Sequence, residues 1–419
     1  MKTKKLFIFL FLTLALTACA PSTPTSTAPA VTAESTLTTG SLASTPTSAP
    51  QSCGTISSLP TPDAAVESLF PPIDENDMVL GREDAATTFI VYADYQDPAS
   101  AEFYTVLGAL REKYPEELRI VYRDFPMVTN PGHEKAGFAA HAVHAADLQG
   151  EFPKMQSLLF EQQEIWAPLT EASFIDWLAE EADAIGIDSE KLLADMQREE
   201  IVVRVRQAFI DGQEIGIPFT PFLLINGQIH DGLLDFNTLD TIVGLYALGE
   251  KQFENCPPQV IDPSKEYLAT LETEKGEIVI QFYPQQAPHT VNNFVFLAKE
   301  GWYDGVSFHR VLPDYFAETG DPSGTGRGNP GYYFENEIDS TLSFNRPGVV
   351  AMKNVGTGTN GSMFFISYDA IPAYDGKFTI FGQVLSGMEV LESLTPRDPQ
   401  FGETLPLGDT LISVTIEER

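Results

Sequence analysis

The sequence predicts a multidomain chain: a non-globular leader, an α/β domain, and a C-terminal domain built mostly of β-structure. Three observations predict it. A Ser/Thr/Pro-rich stretch with almost no large apolar side chain separates the N-terminus from anything able to form a core. Residues 73–250 read as strand, helix, strand, a long helical segment, then a hairpin and a closing helix. From residue 266 onward short alternating strands and Gly-rich turns take over. A chain of 419 residues is long enough for two or three cores.

The leader comes first. MKTKK is basic, and the apolar LFIFLFLTLALTA that follows is too short for a comfortable membrane-spanning helix, so residues 1–18 read as an export signal. It ends in Leu16-Thr17-Ala18-Cys19, which resembles the lipobox of bacterial lipoproteins. The resemblance implies that Cys19 is lipidated and becomes the mature N-terminus. The lipid would anchor the chain in the membrane and make it extracytoplasmic. The plain alternative is an ordinary signal peptide with an incidental cysteine. Residues 19–72 are expected to be a disordered tether, because the Ser, Thr, Pro and Ala of 20–50 cannot bury enough surface to fold. Fully extended, that stretch reaches on the order of 100 Å.

Composition excludes some partners. Asp and Glu number 59 against 25 Lys and Arg, a net charge of −34. Nucleic acid needs a basic face, so it is not an expected partner. Past Cys19 two cysteines remain, Cys53 and Cys256. An export signal implies a disulfide-permissive compartment, and a pair flanking one folded segment suggests a bridge. Two free thiols remain the alternative. Their spacing does not suggest a metal site, and no metal is expected.

In the first folded region TTFIVYADY and LRIVYRDF read as strands around a helical AEFYTVLGALREKY. A helical insert carries His133, His141 and His144 in Ala-rich surroundings that favour packing over metal binding. IPFTPFLLINGQIHDG reads as strand, Asn-Gly turn, strand, and LDTIVGLYALGE as the closing helix. This order resembles the thioredoxin fold of the disulfide-oxidase (DsbA) type with its helical insertion. That family opens its first helix with an aromatic, Gln, and Cys-Pro-x-Cys. Here Tyr95-Gln96 lead into Asp97-Pro98-Ala99-Ser100, and Thr220-Pro221 fits the family's Thr–cis-proline position. Thiol–disulfide exchange needs a thiolate, which neither Asp97 nor Ser100 supplies. The resemblance therefore implies a degenerate redox site at Asp97, Ser100 and Pro221, with Asp97 suited to capping a helix. The domain would survive as a scaffold or as a client-contact surface. Residues 251–265, rich in proline, are the expected linker.

Residues 266–419 open with a hairpin, YLATLETEKGEIVIQFY, whose turn is expected at Lys275-Gly276. A helix over APHTVNNFVFLAKEGWY follows. FHRVLPDYFAETGDPSGTGRGNPGYYFENE, NGSMFFIS and YDGKFTIFGQVLSGMEVLESL then resemble the cyclophilin family of peptidyl-prolyl cis-trans isomerases. The resemblance implies a closed antiparallel eight-stranded barrel with two capping helices, near 287–299 and 386–394. It also implies Arg310 as catalytic donor to the prolyl nitrogen and Phe365 as floor of the proline pocket. Tyr315 and Phe316 fall at pocket-lining positions, and Asn354 at a substrate-binding one. Departures recontour the pocket: Glu318 and Met363 replace glutamines, Ala373 a Trp or Phe, Tyr374 a Leu, and Phe378 a His. Lys353 and Val355 flank Asn354 where small residues are common. Glu318 is expected either to pair with Arg310 or to compete for it. The implied activity acts on X-Pro segments of unfolded or exported proteins and needs no cofactor. Three alternatives stay open: a non-catalytic proline-binding module, a thiol–disulfide enzyme using Cys53 and Cys256, and an assembly protein of the envelope.

Overall fold

The computed structural model describes residues 53–56, 70–399, 406 and 408–419. The signal segment, Cys19 and most of the expected tether lie outside the described residues. Among the described residues no helix is long and apolar enough to cross a membrane.

The first described strand, β1 (Gly54–Thr55), belongs to the tail of the expected tether. In the α/β domain β2 (Met78–Leu80), β3 (Thr87–Ala93) and β4 (Leu118–Asp124) precede the insert. β5 (Phe222–Ile225) and β6 (Gln228–Ile229) follow it. The sheet order is β2-β4-β3-β5-β6. Only β3 and β4 run parallel, joined through helix α1 (Pro98–Lys113). TTFIVYA reads as a continuous apolar run because β3 is covered on both faces. Phe89 and Val91 face one cluster, with Leu107 of α1, and Ile90 and Tyr92 the other, with Val121 and Leu224. The β5–β6 hairpin turns at Asn226 and Gly227, both at positive φ (47° and 79°), as a tight Asn-Gly turn requires. The Thr220-Pro221 peptide bond is cis.

The insert comprises α2 (Ala136–Asp147), α3 (Phe152–Glu161), α4 (Gln163–Trp166), α5 (Glu171–Ala184), α6 (Ser189–Asp195) and α7 (Glu199–Glu214). Thr170 and Asp188 cap α5 and α6 through their side chains. Trp166, Phe174 and Leu178 are fully buried in the core these helices share with the sheet. Helix α8 (Phe236–Gly249) closes the domain, and its Leu248 is buried in the core of the following domain.

That domain contains β7 (Tyr267–Thr273), β8 (Gly276–Phe282), α9 (Pro288–Lys299), β9 (Val306–Ser307), β10 (Arg310–Leu312), β11 (Phe316–Thr319) and β12 (Tyr332–Tyr333). It continues with β13 (Val349–Met352), β14 (Phe364–Ser367), β15 (Ile380–Ser386), α10 (Met388–Glu392) and β16 (Thr410–Glu418). Nine strands pair in the order β10-β11-β14-β13-β15-β8-β7-β16-β9. Of the expected closed eight-stranded barrel the structure gives a curled half-barrel in which one of the eight strands is divided in two. Phe308 and His309, both buried, split one strand into β9 and β10, and these halves are the two edges of a curled sheet. Among the described residues strand pairing does not join them. Helices α9 and α10 pack on β16 and β8. Phe282, Phe294, Tyr303, Phe364 and Phe381 fill the interior with ring centroids 4.8–6.5 Å apart. The opening hairpin pairs Thr273 with Gly276, so its turn is Glu274-Lys275, one residue before the expected position.

The expected tether and linker are not uniform. β1 pairs with β12, and Cys53 forms a disulfide with Cys256 across a sequence separation of 203. Pro71 and Pro72 carbonyls accept from Arg123. In the linker Phe253 packs 5.0 Å from Phe296, while the Asn292 amide accepts from Val260 N and donates to the Pro258 carbonyl. Polar and aromatic contacts thus hold the linker on α9. Cys256→Ser is expected to lower the unfolding free energy by about 2–4 kcal/mol, because the bridge limits the unfolded chain. The measurement is denaturant unfolding, in which dithiothreitol should shift the wild-type midpoint and leave that of the variant in place.

Candidate active site

Strand register builds the site. Arg310 on β10 stands opposite Glu318 on β11, Glu318 opposite Phe365 on β14, and Phe365 opposite Ala351 on β13. Directly opposed residues share a face of an antiparallel sheet, so these four form one row. Phe316 lies two residues from Glu318 and joins the same face. The alternate residues Val311, Ala317, Phe364, Ile366, Val350 and Met352 fill the interior. This explains why FFIS and VVAM read as unbroken apolar runs. One set of side chains makes the core, and the other makes an apolar floor outside it.

Aromatic rings assemble on that floor. Phe316, Phe344, Val349, Ala351, Phe365, Ile371 and Ile380 form one buried cluster, with Tyr315, Tyr374 and Phe378 packed against it. Phe365 stacks parallel to Phe344 at 5.8 Å and meets Tyr374 and Phe378 edge-on at 5.9 and 5.4 Å. Tyr374 ends a short 3-10 turn, Pro372–Tyr374, and lies 5.6 Å from Tyr315. Burial and the neighbouring Tyr315 push the Tyr374 phenol up. Phe365 is only 2% exposed and Met363 7%. Tyr374 and Phe378 therefore cover the floor rather than merely rim it. Ala373 is exposed.

The charges are arranged differently from the expectation for Glu318. Its carboxylate Oε1 meets His309 Nε2 at 3.2 Å and Lys353 Nζ at 3.3 Å. Burial pushes the Glu318 carboxyl up, but the His309 hydrogen bond and charge and the Lys353 ammonium outweigh it and hold it below the usual carboxylate range. Arg310 pairs instead with Asp398, Nε to Oδ1 at 3.1 Å, and its guanidinium carbon lies 5.4 Å from the Phe316 ring centre. That spacing suits cation–π attraction. Asn354 follows β13, and its amide donates to Asn336 and Asn360.

The turn of the α/β domain is a separate, fully bonded cluster. Asp97 caps α1, accepting from Ala99 N and Ser100 N. Its Oδ2 also accepts from the Ser100 and Thr220 hydroxyls, each at 2.8 Å. Thr220 precedes the cis Pro221, so the two segments of the expected degenerate redox site do meet, joined by a carboxylate and two hydroxyls. Beside it the Asp94 carboxyl, pushed up by burial, accepts from Met127 N and contacts His133 Nδ1 at 2.8 Å. His133 precedes α2 rather than lying on it, and His144 pairs with Asp124 at 2.6 Å. Among the described residues no group of His, Cys, Asp and Glu is arranged to hold a metal.

The structure brings Arg310, Tyr315, Phe316, Glu318, Phe365, Tyr374 and Phe378 together. Sequence reasoning missed Asp398, Phe344, and the joint hold of His309 and Lys353 on Glu318. His309 lay inside the quoted motif, so its neighbourhood was visible. Phe344 and Asp398 sit in irregular segments where no periodicity marks them.

The Glu318 arrangement has a pH signature. A carboxylate held below its unfolded value of about 4.3 adds stability that is fully present above that pH. The gain is lost as pH falls through the lower, folded value. Glu318→Gln is expected to destabilise the chain by about 1–3 kcal/mol at pH 7. The gap to wild type should shrink as the pH drops below about 4, read as melting temperature against pH.

Comparison with known proteins identifies both folded domains. The family "Cyclophilin type peptidyl-prolyl cis-trans isomerase/CLD" matches residues 268–414, and a thioredoxin family matches residues 74–244. Peptidyl-prolyl cis-trans isomerase ppi1 of Schizosaccharomyces pombe is 49% identical over 127 residues, covering 30% of this chain and 82% of that protein. The isomerase CYP18-2 of Arabidopsis thaliana is 43% identical over 144 residues, covering 34% and 82%. A crystal structure of a Cryptosporidium parvum cyclophilin type isomerase aligns at 29% identity and a TM-score of 0.34, covering 36% of this chain and 98% of its own. With a covalently continuous thioredoxin-like domain before it, the segment 268–414 makes this chain a member of the cyclophilin-type peptidyl-prolyl cis-trans isomerase family.

Proposed function

We propose that the chain isomerises X-Pro bonds in exported proteins while tethered to the cell envelope through a lipid on Cys19. The observation that carries the catalytic reading is Arg310 on the edge strand β10, beside the aromatic floor of Phe316 and Phe365. A peptide bond resists rotation by roughly 18–20 kcal/mol because of its partial double-bond character. Twisting removes the resonance and leaves the prolyl nitrogen pyramidal and basic. A guanidinium N–H aimed at that nitrogen stabilises the twisted state, while the apolar floor grips the ring. No covalent bond is made or broken.

Export is supported by the leader and by a disulfide that suits an oxidising compartment. In this reading the thioredoxin-like domain is redox-inactive, since Asp97 and Ser100 occupy the thiol positions, and it serves as scaffold or client contact. A second reading, a proline-peptide-binding module without catalysis, is favoured by one observation: Phe365 lies covered by Tyr374 and Phe378.

The full chain should accelerate isomerisation of a short X-Pro peptide, and Arg310→Ala should reduce kcat/KM by about 10²–10³-fold. Phe378→Ala should uncover the floor and raise kcat/KM. Peptide binding without acceleration, in both the wild type and Phe378→Ala, would leave the binding module standing instead. For the anchor, Cys19→Ser is expected to move the chain from the membrane fraction to the soluble fraction; unchanged fractionation would refute lipidation.

A further inference from the structure

Arg310 sits on an edge strand, and its neighbours there are supplied by residues 395–398, which return after α10. Val311 N donates to the Arg397 carbonyl at 2.7 Å, and Arg397 N donates to the Val311 carbonyl at 3.0 Å. This is an antiparallel bridge at the residue next to Arg310. The Arg397 side chain donates from Nε to the His309 carbonyl at 3.1 Å and from Nη1 to the Pro406 carbonyl. Two residues earlier, Thr395 N and its hydroxyl donate to the buried Asp409, which also pairs with Lys275. The segment is therefore fastened on both sides of Arg310, and Asp398 emerges from it against the Arg310 Nε.

We propose that Asp398 is a positioning residue for Arg310, fixing the plane of its guanidinium over Phe316 so that its fork points at the bound X-Pro bond. The proposal rests on Arg310 being the donor. A guanidinium is a rigid fork on a flexible stem, and a donor helps only if its direction is set before the transition state forms. A charge-assisted bond at Nε fixes one edge of the fork, and the Phe316 ring lies beneath it. Glu318, the cross-strand neighbour of Arg310, is held by His309 and Lys353. The carboxylate that orients Arg310 comes instead from 88 residues away. Side-chain exposures of 21% and 17% keep the Arg310–Asp398 pair at the site's edge, within reach of substrate.

The test uses the full chain with Asp398→Ala and Asp398→Asn, each alone and combined with Arg310→Ala. Asp398→Ala should lower kcat/KM about tenfold, mostly in kcat. Asp398→Asn keeps an oxygen acceptor and should recover part of the loss. In the Arg310→Ala background neither change should lower activity further. The Arg310 Nε–H signal in a side-chain ¹H–¹⁵N spectrum should be protected from exchange in wild type, partly so in Asp398→Asn, and unprotected in Asp398→Ala. An equal loss in the Arg310→Ala background, or an unchanged Nε–H signal in Asp398→Ala, overturns the proposal. Should the wild type itself be inactive, the catalytic reading fails, and the Nε–H signal alone decides whether Asp398 positions Arg310.

Discussion

The row Arg310, Glu318, Phe365 and Ala351, opposed across four antiparallel strands, is the constraint on which the site depends. Side chains alternate with period two, so a one-residue slip of β11 or β14 would exchange the interior set for the pocket set. The interior set resists such a slip. Phe364 is locked edge-on against Phe294 and Tyr303 at 5.2 and 5.7 Å, and Phe364 and Ile366 are fully buried. Interior packing thereby fixes where Phe365 and Glu318 point, although neither belongs to the interior cluster.

Within that frame the charges divide into two groups. Glu318 is buried, and a buried carboxylate is tolerated only when it is paired and hydrogen-bonded, which His309 and Lys353 accomplish. The lysine at 353 is part of what allows a carboxylate to be buried at 318. Arg310 is drawn to a different carboxylate on the opposite side. The same logic operates in the thioredoxin-like domain. The negative charge of Asp97 is satisfied by the start of α1 and by two hydroxyls.

The two domains are joined by more than sequence. Leu248 of α8 and Phe253 of the following segment lie against the curled sheet's core, and Cys53–Cys256 fastens β1 to it.

Much was legible in the sequence because it is local. The change from α/β to β composition at residue 266 and the Asn-Gly hairpin follow from residues adjacent in the chain. The absence of thiols at 97 and 100 needs no structure at all. The ordered motifs around Arg310 and Phe365 marked the site for the same reason. Alternation then failed as a guide where strands are covered on both faces, since FFIS and VVAM hide which residues face the pocket. The structure alone decided the register of the row, the burial of Phe365 beneath Tyr374 and Phe378, and the interruption of a strand at Phe308-His309. It alone decided that Glu318 pairs with Lys353 while Arg310 pairs with Asp398. Those contacts join residues 35 and 88 positions apart. A charge's partner over such distances is set by which strands lie side by side, and no local pattern encodes that.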